Sequence, residues 1–71
     1  MTMPEFIRSC IKRARSANGP GMRMGEARTI DFFIPKELGG GKVYVTVKKT
    51  YASDLYSYKL NTSYVVAQSP S

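Results

Sequence analysis

The apolar residues of this chain change their period once, and that change limits what it can fold into. Met3, Phe6, Ile7, Cys10, Ile11 and Ala14 recur at steps of three and four, whereas from Thr29 onward Ile30, Phe32 and Ile34 recur at steps of two. At 100° per residue the first set covers less than half the circumference of an α-helix, and the second lines one face of a strand. One helix followed by strands is the expectation.

Both ends of that helix carry signals. Thr2-Met3-Pro4-Glu5 has the form of a capping box, with proline in the first turn, where its missing N–H costs nothing. Asn18-Gly19-Pro20 supplies the stop: a glycine able to take the left-handed conformation and a proline that forbids continuation. The predicted helix covers about residues 3–17 and buries Ile7, Cys10, Ile11 and Ala14. Arg8, Lys12 and Arg15 then stand at i, i+4 and i+7 on the wet side, with Arg13 at the margin beside Phe6.

Residues 19–27, "GPGMRMGEA", hold three glycines and no period, so 18–28 reads as a flexible loop that carries Arg23 and Arg28. Met22 and Met24 have no evident core role; methionines in such a place either pack back over a core edge or adapt to a partner.

The strand period begins at Thr29 and stops at Pro35. Lys42–Tyr51 alternates Val43, Val45 and Val47 against Tyr44, Thr46 and Lys48. Ala52-Ser53-Asp54 reads as a tight turn, after which Tyr56, Tyr58, Leu60, Tyr64 and Val66 share one parity. Residues 55–67 make one strand, or two if Asn61-Thr62-Ser63 turns, and residues 68–71 are expected to fray. The predicted fold class is α+β: one small domain with an N-terminal amphipathic helix packed on a three- to four-stranded antiparallel β-meander, residues 29–67. Its inner face collects Ile30, Phe32, Ile34, Val43, Val45, Val47, Tyr58 and Leu60. Its outer face presents Tyr44, Thr46, Lys48, Lys59 and the ring of Phe33.

Subtraction narrows the chemistry. A chain of 71 residues without histidine has no Ser-His-Asp or Cys-His nucleophile system and no histidine-bearing zinc site. Its single cysteine falls on the buried helix face, and its five carboxylates are scattered, so a paired acid and base is not evident. A binding protein rather than an enzyme is expected, with a histidine-free ribonuclease-like activity as the one enzymatic option; neither a metal nor a cofactor is called for. "GGGK" at residues 39–42 leads into a strand, which a phosphate-binding loop does not do. No apolar run approaches the roughly 18 residues of a membrane span, and no secretory pattern opens the chain, so a cytoplasmic protein without a membrane partner is expected. Asn61-Thr62-Ser63 is then an idle glycosylation sequon.

What remains is charge. The net charge is +6 and the isoelectric point about 9.8, with six of the eleven basic residues in the first 28 positions against two acids. Such a surface attracts polyanions. The candidate site comprises Arg8, Lys12, Arg13, Arg15, Arg23, Arg28, Lys48 and Lys59 as phosphate contacts, with Tyr44 as a stacking surface for unpaired bases, and the expected partner is nucleic acid, DNA or RNA. The alternative is a protein-interaction module or inhibitor, of the kind phages and other mobile elements encode, that docks on an acidic or nucleic-acid-binding surface of a host protein. An outward Phe33 and an unpaired sheet edge also point to a homodimer.

Overall fold

The computed structural model describes residues 1–54 and 56–68. Leu55 and the end of the expected frayed tail, residues 69–71, lie outside the described residues. Helix α1, Met3–Asn18, packs on a three-stranded antiparallel sheet of order β1-β2-β3, with β1 at Ala27–Phe33, β2 at Lys42–Tyr51 and β3 at Tyr58–Ala67. This is the α+β architecture that the change of period predicts, with three strands rather than four.

The N-terminus of α1 forms as its residues dictate. The Thr2 N–H and hydroxyl both donate to Glu5 Oε1, at 3.0 and 2.8 Å, and the Glu5 N–H donates to Thr2 Oγ1 at 3.4 Å, closing the capping box. The C-terminus departs from expectation. Gly19 is not left-handed but right-handed helical, at φ −49° and ψ −51°, and Gly19–Gly21 continues as a 3-10 turn. The glycine is required by packing instead: a Cβ at this position would come within 2.7 Å of Leu60 Cδ1.

The expected loop 18–28 is therefore mostly structured. Met22 is buried in the core rather than idle, while Met24 is exposed. The Arg23 N–H donates to Glu26 Oε1 at 2.8 Å, and β1 begins at Ala27, two residues before the predicted start, so Arg28 belongs to a strand. After β1, Pro35 opens a 3-10 turn at Lys36–Leu38, and Gly39, Gly40 and Gly41 all take positive φ, at 109°, 69° and 93°. Three consecutive positive φ values are open to glycine and costly for other residues, which explains the "GGG" run.

Registers fix the two sheet faces. Ile30 lies opposite Val45 and Phe32 opposite Val43; across the other ladder Val45 faces Tyr64, Val47 faces Thr62 and Lys49 faces Leu60. Val43, Val45 and Val47 are fully buried under Cys10 and Ala14 of α1, with Phe6, Ile7, Ile11, Ile30, Phe32 and Leu60 packed around them. Burying these side chains is the main favourable term in so small a fold, roughly 1.5–3 kcal/mol for each large aliphatic residue.

Asn61-Thr62-Ser63 is not a turn. It lies in the middle of β3, which is a single strand, and Thr62 faces inward. The connection before it is longer than the predicted Ala52–Asp54 turn, because β3 resumes only at Tyr58. Asp54 Oδ1 accepts from the Tyr56 N–H, the Ser57 N–H and the Ser57 hydroxyl, and the Ala52 N–H donates to the Ser57 carbonyl. Gln68 does not fray: its side-chain amide donates to the Leu38 carbonyl at 3.2 Å. Among the described residues no helix is long and apolar enough to cross a membrane.

Candidate nucleic-acid interface

Because α1 covers only one side of the sheet, the opposite face lies open across all three strands. Successive rungs of that face are Phe33–Lys42–Ala67, Asp31–Tyr44–Val65, Thr29–Thr46–Ser63 and Ala27–Lys48–Asn61, followed by Thr50–Lys59. Parity decides membership: β2 residues alternate sides, so the valines that fill the core push Tyr44, Thr46 and Lys48 outward.

This face has two ends of different chemistry. At one end Phe33 is 77% exposed and Val65 66%, with Tyr44 beside Val65 on the rung next to that of Phe33. The Lys42 ammonium lies 4.9 Å from the centroid of the Phe33 ring and 3.2 Å from Asp31 Oδ2. The Lys42 ammonium, hydrogen-bonded to the Asp31 carboxylate, holds its pKa below the usual value. Phe33 and Tyr44 are diagonal neighbours across β1 and β2, a separation of about 7–8 Å at which two rings can each meet a different base. At the other end stand Lys48 and Lys59, while Thr29, Thr46, Ser63 and Asn61 line the middle with hydroxyls and an amide. Thr29 and Thr46 share a hydrogen bond of 2.9 Å, and the Asn61 amide donates to Thr50 Oγ1 at the same distance.

Charge balance leaves the face cationic. Among the described residues its one acid, Asp31, is already paired with Lys42, which leaves Lys48 and Lys59 uncompensated there. Among the described residues the only other ion pair joins Arg28 Nε to Glu26 Oε2 at 2.7 Å.

The predicted site residues do not come together. Arg8, Lys12, Arg13 and Arg15 lie on α1, on the far side of the sheet from Tyr44, Lys48 and Lys59. Arg15 is not simply solvated: its Nη1 donates to the Leu60 carbonyl at 3.0 Å and to Thr62 Oγ1 at 3.2 Å. Arg28 ties Glu26 to Asn18 and thereby joins the start of β1 to the end of α1. Arg23 is exposed on the turn between them. Arg8, Lys12 and Arg13 are exposed on the helix, and the Cys10 thiol beneath them is pushed above its ordinary pKa by burial, opposite to the shift a nucleophilic thiolate needs.

Two features escaped the sequence reading. Lys49 has inward parity and is 8% exposed; its ammonium donates to the carbonyls of Gly19 and Met22. The β2–β3 hairpin also outruns its neighbours, since β1 and its extension pair with β2 only as far as Lys49. Tyr51 and Tyr58 form the last rung, and Tyr56 at the tip is 97% exposed. This hairpin accounts for much of the molecule's 47 Å length against 19 and 17 Å in the other directions.

Comparison of the chain with protein-family models, with curated proteins and with solved structures gave no match.

Proposed function

We propose that this chain is a small, non-enzymatic protein that binds single-stranded nucleic acid on its open sheet face. The observation that carries the reading is the arrangement on that face of two exposed rings, Phe33 and Tyr44, with two uncompensated cations, Lys48 and Lys59. Unpaired bases stack on such rings, each stack contributing about 1–3 kcal/mol, while lysines meet the backbone phosphates. Thr46, Ser63 and Asn61 between the two ends offer hydrogen bonds to sugar or base edges. A duplex keeps its bases paired and stacked inside, so Phe33 and Tyr44 favour the single strand. Arg8, Lys12 and Arg13 on the helix side add long-range attraction to a polyanion without touching the bases.

Titration of labelled single-stranded and duplex DNA and RNA at several salt concentrations tests this reading. Single strands are expected to bind more tightly than duplexes, and reversing Lys48 and Lys59 to Glu should flatten the salt dependence by roughly 1.4, about 0.7 for each phosphate contact on a single strand. Absence of binding at low salt defeats the proposal.

One observation favours a second reading. Val65 and Phe33 expose apolar surface beside Tyr44, and an apolar patch rimmed by charge also suits a protein partner. Capture of an acidic protein from a nuclease-treated lysate, lost with Val65→Lys, together with no nucleic-acid binding, would establish the interaction module instead.

A further inference from the structure

Backbone geometry identifies which groups β3 leaves unpaired. Lys49 makes both of its backbone bonds toward β1: its N–H donates to Glu26 at 3.0 Å, and its carbonyl accepts from Gly25 at 2.7 Å. In an antiparallel ladder the directly opposed residue then points both of its groups away from β2. That residue is Leu60, and the alternation continues, so the N–H and C=O groups of Leu60, Thr62, Tyr64 and Val66 all face the free edge. Arg15 already occupies the Leu60 carbonyl, which blunts that end of the edge. Among the described residues Thr62, Tyr64 and Val66 stay open, in a stretch from Leu60 to Ala67 that contains neither charge nor proline. Such an edge lacks the usual guards against pairing with another strand.

We infer that the free edge of β3 pairs with the same edge of a second copy of this chain, antiparallel, about a two-fold axis at Tyr64. The three open residues are centred on Tyr64, so a two-fold there opposes Tyr64 to its own copy and Thr62 to Val66 of the other. This gives roughly six ladder hydrogen bonds and a continuous six-stranded sheet. The match is self-complementary: the Lys59 side chains stay outside the paired segment, at its two far ends. The same axis covers a second open feature. Between α1 and β3 lies a groove of about 390 Å³ lined by Met3, Pro4, Ile7, Arg8, Ile11 and Tyr64, and the two-fold brings the grooves of both copies together over the paired Tyr64 rings. Leu60–Ala67 carries no charge of its own, and the Arg15 guanidinium at its end is already held by the Leu60 carbonyl and Thr62 Oγ1, so the paired segment itself offers nothing that selects an acidic strand instead. The open sheet faces of both copies remain uncovered, so the inference stands whether or not that face binds nucleic acid.

Sedimentation equilibrium at micromolar concentration tests the pairing, at about 0.3 M salt so that repulsion between two copies of charge +6 is screened. The expected mass is twice 7.9 kDa. Tyr64→Pro removes an outward N–H without touching the β2 ladder, and Val65→Lys places two cations beside the axis; each should return the mass to that of one chain with the circular dichroism of the fold retained. The register has its own readout. Opposed residues in a hydrogen-bonded pair have Cα atoms about 5.5 Å apart, within disulfide reach, so Tyr64→Cys should cross-link to itself under mild oxidation while Ser63→Cys should not. A 7.9 kDa species at every concentration, or a dimer unchanged by folded Val65→Lys and uncross-linked through Tyr64→Cys, overturns the inference.

Discussion

The Lys49 ammonium sits 4.1 Å from the centroid of the Tyr58 ring while donating to two backbone carbonyls, Gly19 at 3.1 Å and Met22 at 2.9 Å. One side chain thus ties the 3-10 turn after α1 to the last rung of the β2–β3 hairpin, giving the Met22 carbonyl a donor and the Gly19 carbonyl a second one beside the Met22 N–H.

Replacing Lys49 with Ala should accordingly cost far more than an ordinary lysine substitution. Two buried carbonyls lose charge-assisted hydrogen bonds and the stem leaves a void, so we expect about 3 kcal/mol of destabilisation by urea unfolding. Lys48→Ala, one residue away on the open face, should stay within about 0.5 kcal/mol.

Gly19 and Gly21 should respond to alanine with opposite signs. A Cβ at Gly19 meets Leu60 Cδ1 at 2.7 Å and must displace it, whereas among the described residues nothing lies within 4 Å of one at Gly21. We expect Gly19→Ala to lower stability by about 1 kcal/mol, overpacking outweighing the entropy gain, and Gly21→Ala to raise it by about 0.5 kcal/mol. Thermal unfolding of the two variants checks the pair.

These residues also show what was legible in advance. Period and caps identified α1, the first two strands and the outward set Tyr44, Thr46, Lys48 and Lys59, because burial of one face enforces a strict alternation, while shared parity left residues 55–67 open between one strand and two. Lys49 has the same parity as Val43, Val45 and Val47, so its inward position was readable, yet the two carbonyls that accept its charge come from a turn some thirty residues earlier. Gly19 was recognised as a stop for the wrong reason, since its contact with Leu60 is tertiary. Met22 followed the common habit of packing back over a core edge. The basic residues formed one list in the sequence and lie in two layers of the fold, a division that only the packing of α1 on a single sheet face decides.

Acid should destabilise the fold in a defined direction. Glu5, Glu26, Asp31 and Asp54 all have lowered pKa values, each through hydrogen bonds: Thr2 holds Glu5, the Arg23 N–H and Arg28 hold Glu26, Lys42 holds Asp31, and Ser57 holds Asp54. A carboxylate whose pKa is lower when folded contributes stability fully present above its unfolded value and lost as pH falls through the folded one. Stability should be flat near neutrality, begin to decline as pH reaches the ordinary values of 4.5 for Glu and 3.8 for Asp, and keep falling below them. Unfolding midpoints between pH 7 and pH 2 check this, and Asp31→Asn and Glu26→Gln together should flatten the decline.

Which face receives nucleic acid is decided most directly by titrating the isotope-labelled chain with an unlabelled single-stranded oligonucleotide and reading the backbone amide shifts. The largest changes are expected at Phe33, Tyr44, Lys48 and Lys59, with smaller, salt-sensitive ones at Arg8, Lys12 and Arg13, and Tyr44→Ala should weaken the binding by about 1–3 kcal/mol. Shifts confined to α1 with the sheet silent, or no shifts at all at low salt, would contradict the open sheet face as the binding surface.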